Sequence, residues 1–387
     1  MQLNPHLIDT GTPPIPEAQN WLAAWQGAAA DRIDLSQAVP GYPPHDTMLR
    51  ALAEAAGTRA AASYGSIYGD ADLREAYGAH LSQVYGAAVK PGETMITSGC
   101  NQAFIIAIMA LAKAGDAIIV PSPWYFNHDM ALTMLGIETR ALPCSAENGF
   151  VPQVADAEKL VDENVKALVL VTPNNPTGAI YPPDVIEAFY ELCAHRNIAL
   201  ILDETYRDFL PDNAGPAHTL FNRKDWGETL ISLYSFSKSY CIPGHRIGAM
   251  IASESNAREI GKILDTLQIC PQRAAQIALV PAIPALAEWR EDNRREINAR
   301  AHAFRDAMAR CDGWSVASVG AYFSYVRHPY AVDARMVAEK LARERGILVL
   351  PGLYFGDRTG QFMRVAFANA DRAKLAALPE RLSGFVL

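Results

Sequence analysis

Four runs between residues 117 and 234 are apolar almost without interruption: 117–120, 167–171, 198–202 and 230–234. They do not alternate with polar residues, the pattern expected of strands covered on both faces. Helical periodicity occupies 102–114 and 183–196, and a longer helix with a charged face is predicted over 285–310. Strand and helix taking turns from residue 94 to about 250 predict a mostly parallel sheet under helices. Beyond residue 312 the pattern changes. Strands at 321–326, 346–350 and 362–367 and a helix at 334–345 predict a smaller α+β domain. The expected fold class is therefore α/β. Residues 46–283 form the large domain, 284–387 the small one, and 1–45 an N-terminal arm that completes the small domain.

Composition narrows the function. Half of the 387 residues are hydrophobic, enough for a large core in two subdomains. The formal charge is 34 − 42 = −8 with no basic block, which argues against a nucleic-acid partner. Six cysteines are scattered without a C-x-x-C pair, and nine histidines form no H-E-x-x-H, so neither a disulfide frame nor a metal site is expected. Residues 1–17 are polar and proline-rich, unlike a secretory signal, and the apolar stretch 103–112 is too short to span a bilayer. A cytoplasmic protein without membrane contact is expected.

The chemistry collects where the strands end. In open parallel sheets, ligands bind at the carboxyl edge. After Leu202 come Asp203 and Tyr206; after Val171 comes Thr172-Pro-Asn-Asn175-Pro-Thr-Gly178. Val120 leads to Trp124 and Tyr125, and Tyr234 leads to Ser235, Ser237 and Lys238. Ahead of the first helix, Ser98-Gly99-Cys100 feeds a helix N-terminus whose free N–H groups suit a phosphate. Each residue has an ordinary explanation: Asp203 as a cap, Asn175 as a turn residue, the aromatics as core. Lys238 is harder to explain that way, because an amine past a buried strand is pushed towards its neutral, nucleophilic form. Arg246, eight residues on, adds a permanent cation. Together these residues offer an aromatic ring for stacking, an acid for a ring nitrogen, donors for a ring oxygen and for a phosphate, and an amine for an aldehyde. That set describes pyridoxal 5′-phosphate.

Over nearly its whole length the chain resembles the class I/II pyridoxal-phosphate aminotransferases of the aspartate aminotransferase superfamily, fold type I. The resemblance runs through Tyr64, Gly69-x-x-x-Leu73-Arg74, Ser98-Gly99-Cys100-Asn101-Gln102, Asn175-Pro-Thr-Gly178, Asp203-x-x-Tyr206, Ser235-x-Ser237-Lys238, Gly244-x-Arg246-x-Gly248 and Arg364-Val-Ala-Phe367. It implies that Lys238 carries the cofactor as a Schiff base and then shuttles a proton. It implies that Asp203 protonates the pyridine nitrogen, and that Asn175 and Tyr206 bind the ring oxygen. Ser98, Gly99, Cys100, Ser235, Ser237 and Arg246 would surround the phosphate, and Tyr64 would reach the phosphate of a second subunit in a homodimer. Arg364 would clamp the α-carboxylate of an amino acid or 2-oxo acid, beside Asn175 and the loop at Ala38 and Val39.

The chain departs from the family pattern in places. Trp124 fits the usual spacing of the stacking ring better, with the adjacent Tyr125 as the alternative, and Asn127 stands where a further aromatic is expected. Ala38 replaces a glycine. Arg273 is the nearest arginine for a second substrate carboxylate, in poor register. The implied activity is ping-pong amino transfer. Alternatives on the same fold are a lyase, a cyclising synthase or an amino acid oxidase; a non-catalytic aminotransferase-like binding domain is the alternative of another class. No G-x-G-x-x-G occurs, so a Rossmann dehydrogenase is not supported.

Overall fold

The computed structural model describes residues 1–387 except Asn213. The uniformly apolar runs lie side by side in a seven-stranded sheet. Its order is Thr94–Thr97, Gly248–Ile251, Leu230–Ser235, Ala199–Asp203, Val165–Val171, Ala117–Ser122 and Glu138–Pro143. Gly248–Ile251 runs antiparallel to both neighbours, and the other strand pairs are parallel. Alternate side chains feed two separate cores. Leu168, Leu170, Leu200 and Leu202 pack with Ile186 and Phe189 on one face, while Val169, Val171, Ile201 and Leu233 pack with Phe104 and Ile108 on the other. This explains why the runs are apolar at every position.

A third cluster joins the chain ends. Trp21, Leu22, Ile33 and Leu35 pack with Ile297, Phe304, Phe323, Leu348 and Val365. An antiparallel sheet ordered Leu350–Pro351, Phe362–Val365, Phe323–Arg327 and Ser315–Gly320 supports it. Ile33–Asp34 pairs in parallel with Ile347–Leu348, which binds the N-terminal segment to this lobe. The helix Ala287–Met308 buries Ile297, Ala301, Phe304 and Met308 on one face, at helical spacing.

Three details differ from the pattern read above. Helix does not start at residue 285: a separate helix, Arg273–Ala285, tolerates Pro281 and Pro284 and is followed after Leu286 by the helix starting at Ala287. The strand Glu138–Pro143 sits at the sheet edge with a mostly open surface, so it lacks the apolar signature. The helix predicted over 334–345 runs as an α-helix only over Ala334–Lys340, and its last turn widens into a π-turn at Leu341–Arg345. Among the described residues, no helix is long and apolar enough to cross a membrane.

The two lobes touch at Gly178, which adopts φ +75°. A Cβ there would overlap the carbonyl oxygen of Phe323 and lie 2.8 Å from the backbone nitrogen of Gly320. Only glycine combines this φ with so close an approach. Gly178→Ala is expected to cost about 1–3 kcal/mol, read as a lower urea midpoint with an unchanged m-value.

Candidate active site

The carboxyl edge of the large sheet faces the small lobe across a cavity of about 460 Å³. Strand ends deliver its chemistry. Asp203 closes one strand, Ser235 closes the next, and the short helix Phe236–Ser239 then turns Lys238 inward. The reversed strand Gly248–Ile251 begins at this same edge, so Arg246, just before it, also faces the cavity. Gly248 permits that crowding: a Cβ there would lie 2.8 Å from Gly99 C and 2.9 Å from Cys100 N. Gly99, at φ 85°, caps the helix Cys100–Leu111, and a side chain on it would strike the Arg246 guanidinium.

The polar contacts are specific. Asp203 Oδ1 accepts from Thr205 N at 2.9 Å and from Thr205 Oγ1 at 2.7 Å, and its Oδ2 lies 3.5 Å from His128 Nε2. Asn175 Oδ1 accepts from Arg364 Nη1 at 3.0 Å. Arg364 Nη2 donates to Ser36 O, and its Nε is buried without a partner. Lys238 Nζ donates to Ala38 O at 2.5 Å. Burial, then the cations of Arg246 and Arg364, push the Lys238 amine down to about 8. Burial also lowers the Arg364 guanidinium to about 10 and holds the Tyr206 hydroxyl well above the usual phenol range. The Ser237 hydroxyl is buried and unpartnered. Buried polar groups are almost always hydrogen-bonded, so this open hydroxyl suits a polar ligand.

Cys100, Tyr125, Asn175, Asp203, Tyr206, Ser235, Ser237, Lys238, Arg246, Arg364 and Ala38 therefore share one cavity. Others of the expected set do not line it. Trp124 faces a different cleft: its backbone N–H donates to Phe355 O at 2.9 Å and its indole lies against Gly356. Ser98 Oγ turns away to Gln268 Oε1 at 2.8 Å. Val39 is outside the lining, and Tyr64 is 80% exposed. Arg273 is held elsewhere, with Nε 3.0 Å from Asp70 Oδ1 and Nη1 donating to Ala60 O at 2.6 Å. His128 was missed by the sequence reading. It stacks on Phe104 at 3.9 Å and approaches Asp203. Counting three residues from Trp124 reaches Asn127; counting from Tyr125, the ring that lines the cavity, reaches His128.

Residues 30–382 match the family described as Aminotransferase class I and II. The chain belongs to that family. It is an enzyme that transfers amino groups, and the family works with pyridoxal phosphate. The chain is 28% identical to the valine–pyruvate aminotransferase of Mycobacterium tuberculosis, with 94% of each chain covered. It is equally 28% identical to the aspartate/prephenate aminotransferase of Thermus thermophilus, covering 89% and 90% of the two chains. In structure it resembles Escherichia coli YbdL, a protein with a methionine aminotransferase function, with a TM-score of 0.91 and 23% identity over 100% of both chains. At that identity the likeness speaks for the fold.

A buried network supports this aminotransferase's site from behind. Asp208, in the turn after Tyr206, accepts from Tyr234 Oη at 2.5 Å and from Ser239, the residue next to Lys238. Arg207 lies 4.1 Å over the Tyr234 ring and donates to Tyr77 Oη at 3.1 Å. Glu204 accepts from Tyr85 and, at 2.8 Å, from Ser232. Burial opposes the charge of both carboxylates, but His218 and Arg207 beside Glu204 bring it down to about 2, and Arg207 and Arg290 lower Asp208. Their stabilisation is therefore complete above the ordinary carboxylate range and is lost as pH falls through the folded values. Asp208→Ala leaves Arg207 short of a counter-charge and frees Ser239. Urea unfolding at pH 7 should show a loss of about 3–5 kcal/mol, against about 1 kcal/mol for Ser239→Ala.

Proposed function

We propose that this aminotransferase carries pyridoxal 5′-phosphate on Lys238 and moves an amino group between an L-amino acid and a 2-oxo acid by a ping-pong cycle. One observation carries the reading: the amine, lowered to about 8 by burial and two guanidinium groups, faces a cavity in which the Ser237 hydroxyl and Arg364 Nε lack partners. The residues fit the cofactor. The unpartnered Ser237 hydroxyl, the Cys100 helix start, Ser235 and Arg246 form an anion cradle that a side chain at Gly99 would fill. When bound, the cofactor supplies an electrophilic aldehyde and a ring that takes up the electron pair left by Cα deprotonation.

The protein's own groups have separable tasks. Asp203, fixed by Thr205 and flanked by His128, keeps a proton on the ring nitrogen. Asn175 uses Oδ1 for Arg364, which leaves its Nδ2–H to the ring oxygen together with the Tyr206 hydroxyl. Tyr125 is the ring available to stack, and Lys238 Nζ moves the Cα proton. Arg364 holds the α-carboxylate through the guanidinium edge that Nε leaves open.

Tyr64 suits a role in a second subunit's site. It is exposed, as is Ile269, and their chain neighbours are joined by the Gly65 N–H to Cys270 Sγ bond at 3.4 Å; exposed apolar side chains in this region support a homodimer. The six free cysteines support a cytoplasmic setting. The test of the reaction is stoichiometry. An accepted L-amino acid should yield one 2-oxo acid per site without free ammonia, and a second 2-oxo acid should restore the starting absorbance; ammonia release would contradict transfer.

The amine's position gives a pH prediction. Only neutral Lys238 attacks an aldehyde, so its rate of pyridoxal phosphate capture should rise about tenfold per pH unit up to pH 8 and then level off. An ordinary lysine, at 10.5, would keep gaining beyond that point. Stopped-flow absorbance across pH 6–10 separates the two.

A further inference from the structure

We propose that the side-chain end of this cavity selects amino acids and 2-oxo acids with uncharged, apolar side chains, and that Ile15 and Phe126 set the choice. The inference rests on the amino-transfer reading and deepens it. Ile15, Ala38 and Phe126 all line the cavity while packing against the small lobe's hydrophobic cluster, so this wall is an outward extension of a core. The apolar wall starts beside the carboxylate clamp. Arg364 lies 4.7 Å over the Phe355 ring, whose centroid is 5.9 Å from that of Phe126. A substrate anchored on Arg364 therefore has aromatic carbon alongside its own chain.

Ile15 is held in a fixed relation to that clamp. Its helix, Pro14–Ala23, is fastened by Glu17, which pairs with Arg335 and accepts from Tyr354 Oη at 2.7 Å. Gln19 Nε2 donates to Asp34 Oδ2 at 2.9 Å, two residues before Ser36, whose carbonyl takes Arg364 Nη2. The arginine that could serve a second carboxylate, Arg273, is engaged by Asp70 and Ala60. A charged substrate side chain placed against Ile15 and Phe126 would lose its hydration without compensation. An aliphatic or thioether chain would gain from the same contact.

Inert acids test this on the holoenzyme without turnover. Calorimetric titration should show 4-methylpentanoate binding at least about tenfold tighter than succinate. Ile15→Arg should reduce or reverse that ratio by a similar factor. Equal or tighter binding of succinate to the wild type overturns the proposal, and so does an unchanged ratio in a folded Ile15→Arg protein; should that variant fail to fold, the wild-type ratio decides. A separate control distinguishes the two readings. If no L-amino acid discharges the enzyme's cofactor absorbance, amino transfer itself fails and the inference with it. If L-aspartate discharges it faster than L-leucine, only the side-chain assignment falls.

Discussion

Three cations face one cavity in a protein whose formal charge is −8. Lys238, Arg246 and Arg364 converge there, while Asp203 is the one carboxylate of the lining and is occupied by Thr205. Buried charge is costly unless paired. The arrangement is stable only as far as backbone carbonyls of Ala38, Pro243 and Ser36 and the Asn175 amide satisfy the donors in place of anions. A phosphate at one end and a carboxylate at the other would answer this charge, and an amine of lowered basicity between them follows from the same crowding.

The fold exists around that constraint. Reversing one strand brings Arg246 to the edge where the parallel strands end. Gly248 lets the backbone at Gly99 and Cys100 approach closely, and Gly99 leaves room for the Arg246 guanidinium. Behind the edge, Asp208 ties the turn bearing Asp203 and Tyr206 to the short helix bearing Lys238. In front, the N-terminal segment reaches across and contacts both Lys238 and Arg364. Asp203, Lys238 and Arg364 come from separate parts of the chain, and one hydrogen-bonded frame holds them.

Much of this was legible because buried strands and their polar ends differ so sharply in composition. Lys238, Asp203 and Asn175 stood out together at the polar ends of apolar strands, whereas Arg364 was named only through the family resemblance. What was not legible depended on side-chain direction. Trp124 and Tyr125 are adjacent, and only the turn that bonds Trp124 N to Phe355 O decides which ring meets the cavity. His128 followed from that choice. The edge strand Glu138–Pro143 carries no apolar pattern because its surface is mostly open. The contribution of Ile15 is invisible locally, for it arises from a helix docked through Glu17 onto residues more than three hundred positions away.

The central claim is that one amine, that of Lys238, is the covalent anchor. Protein loaded with pyridoxal phosphate, reduced with borohydride and mapped by peptide mass, tests it directly. The account predicts a single pyridoxyl-phosphate adduct on Lys238. An adduct confined to other lysines, or none, would contradict it.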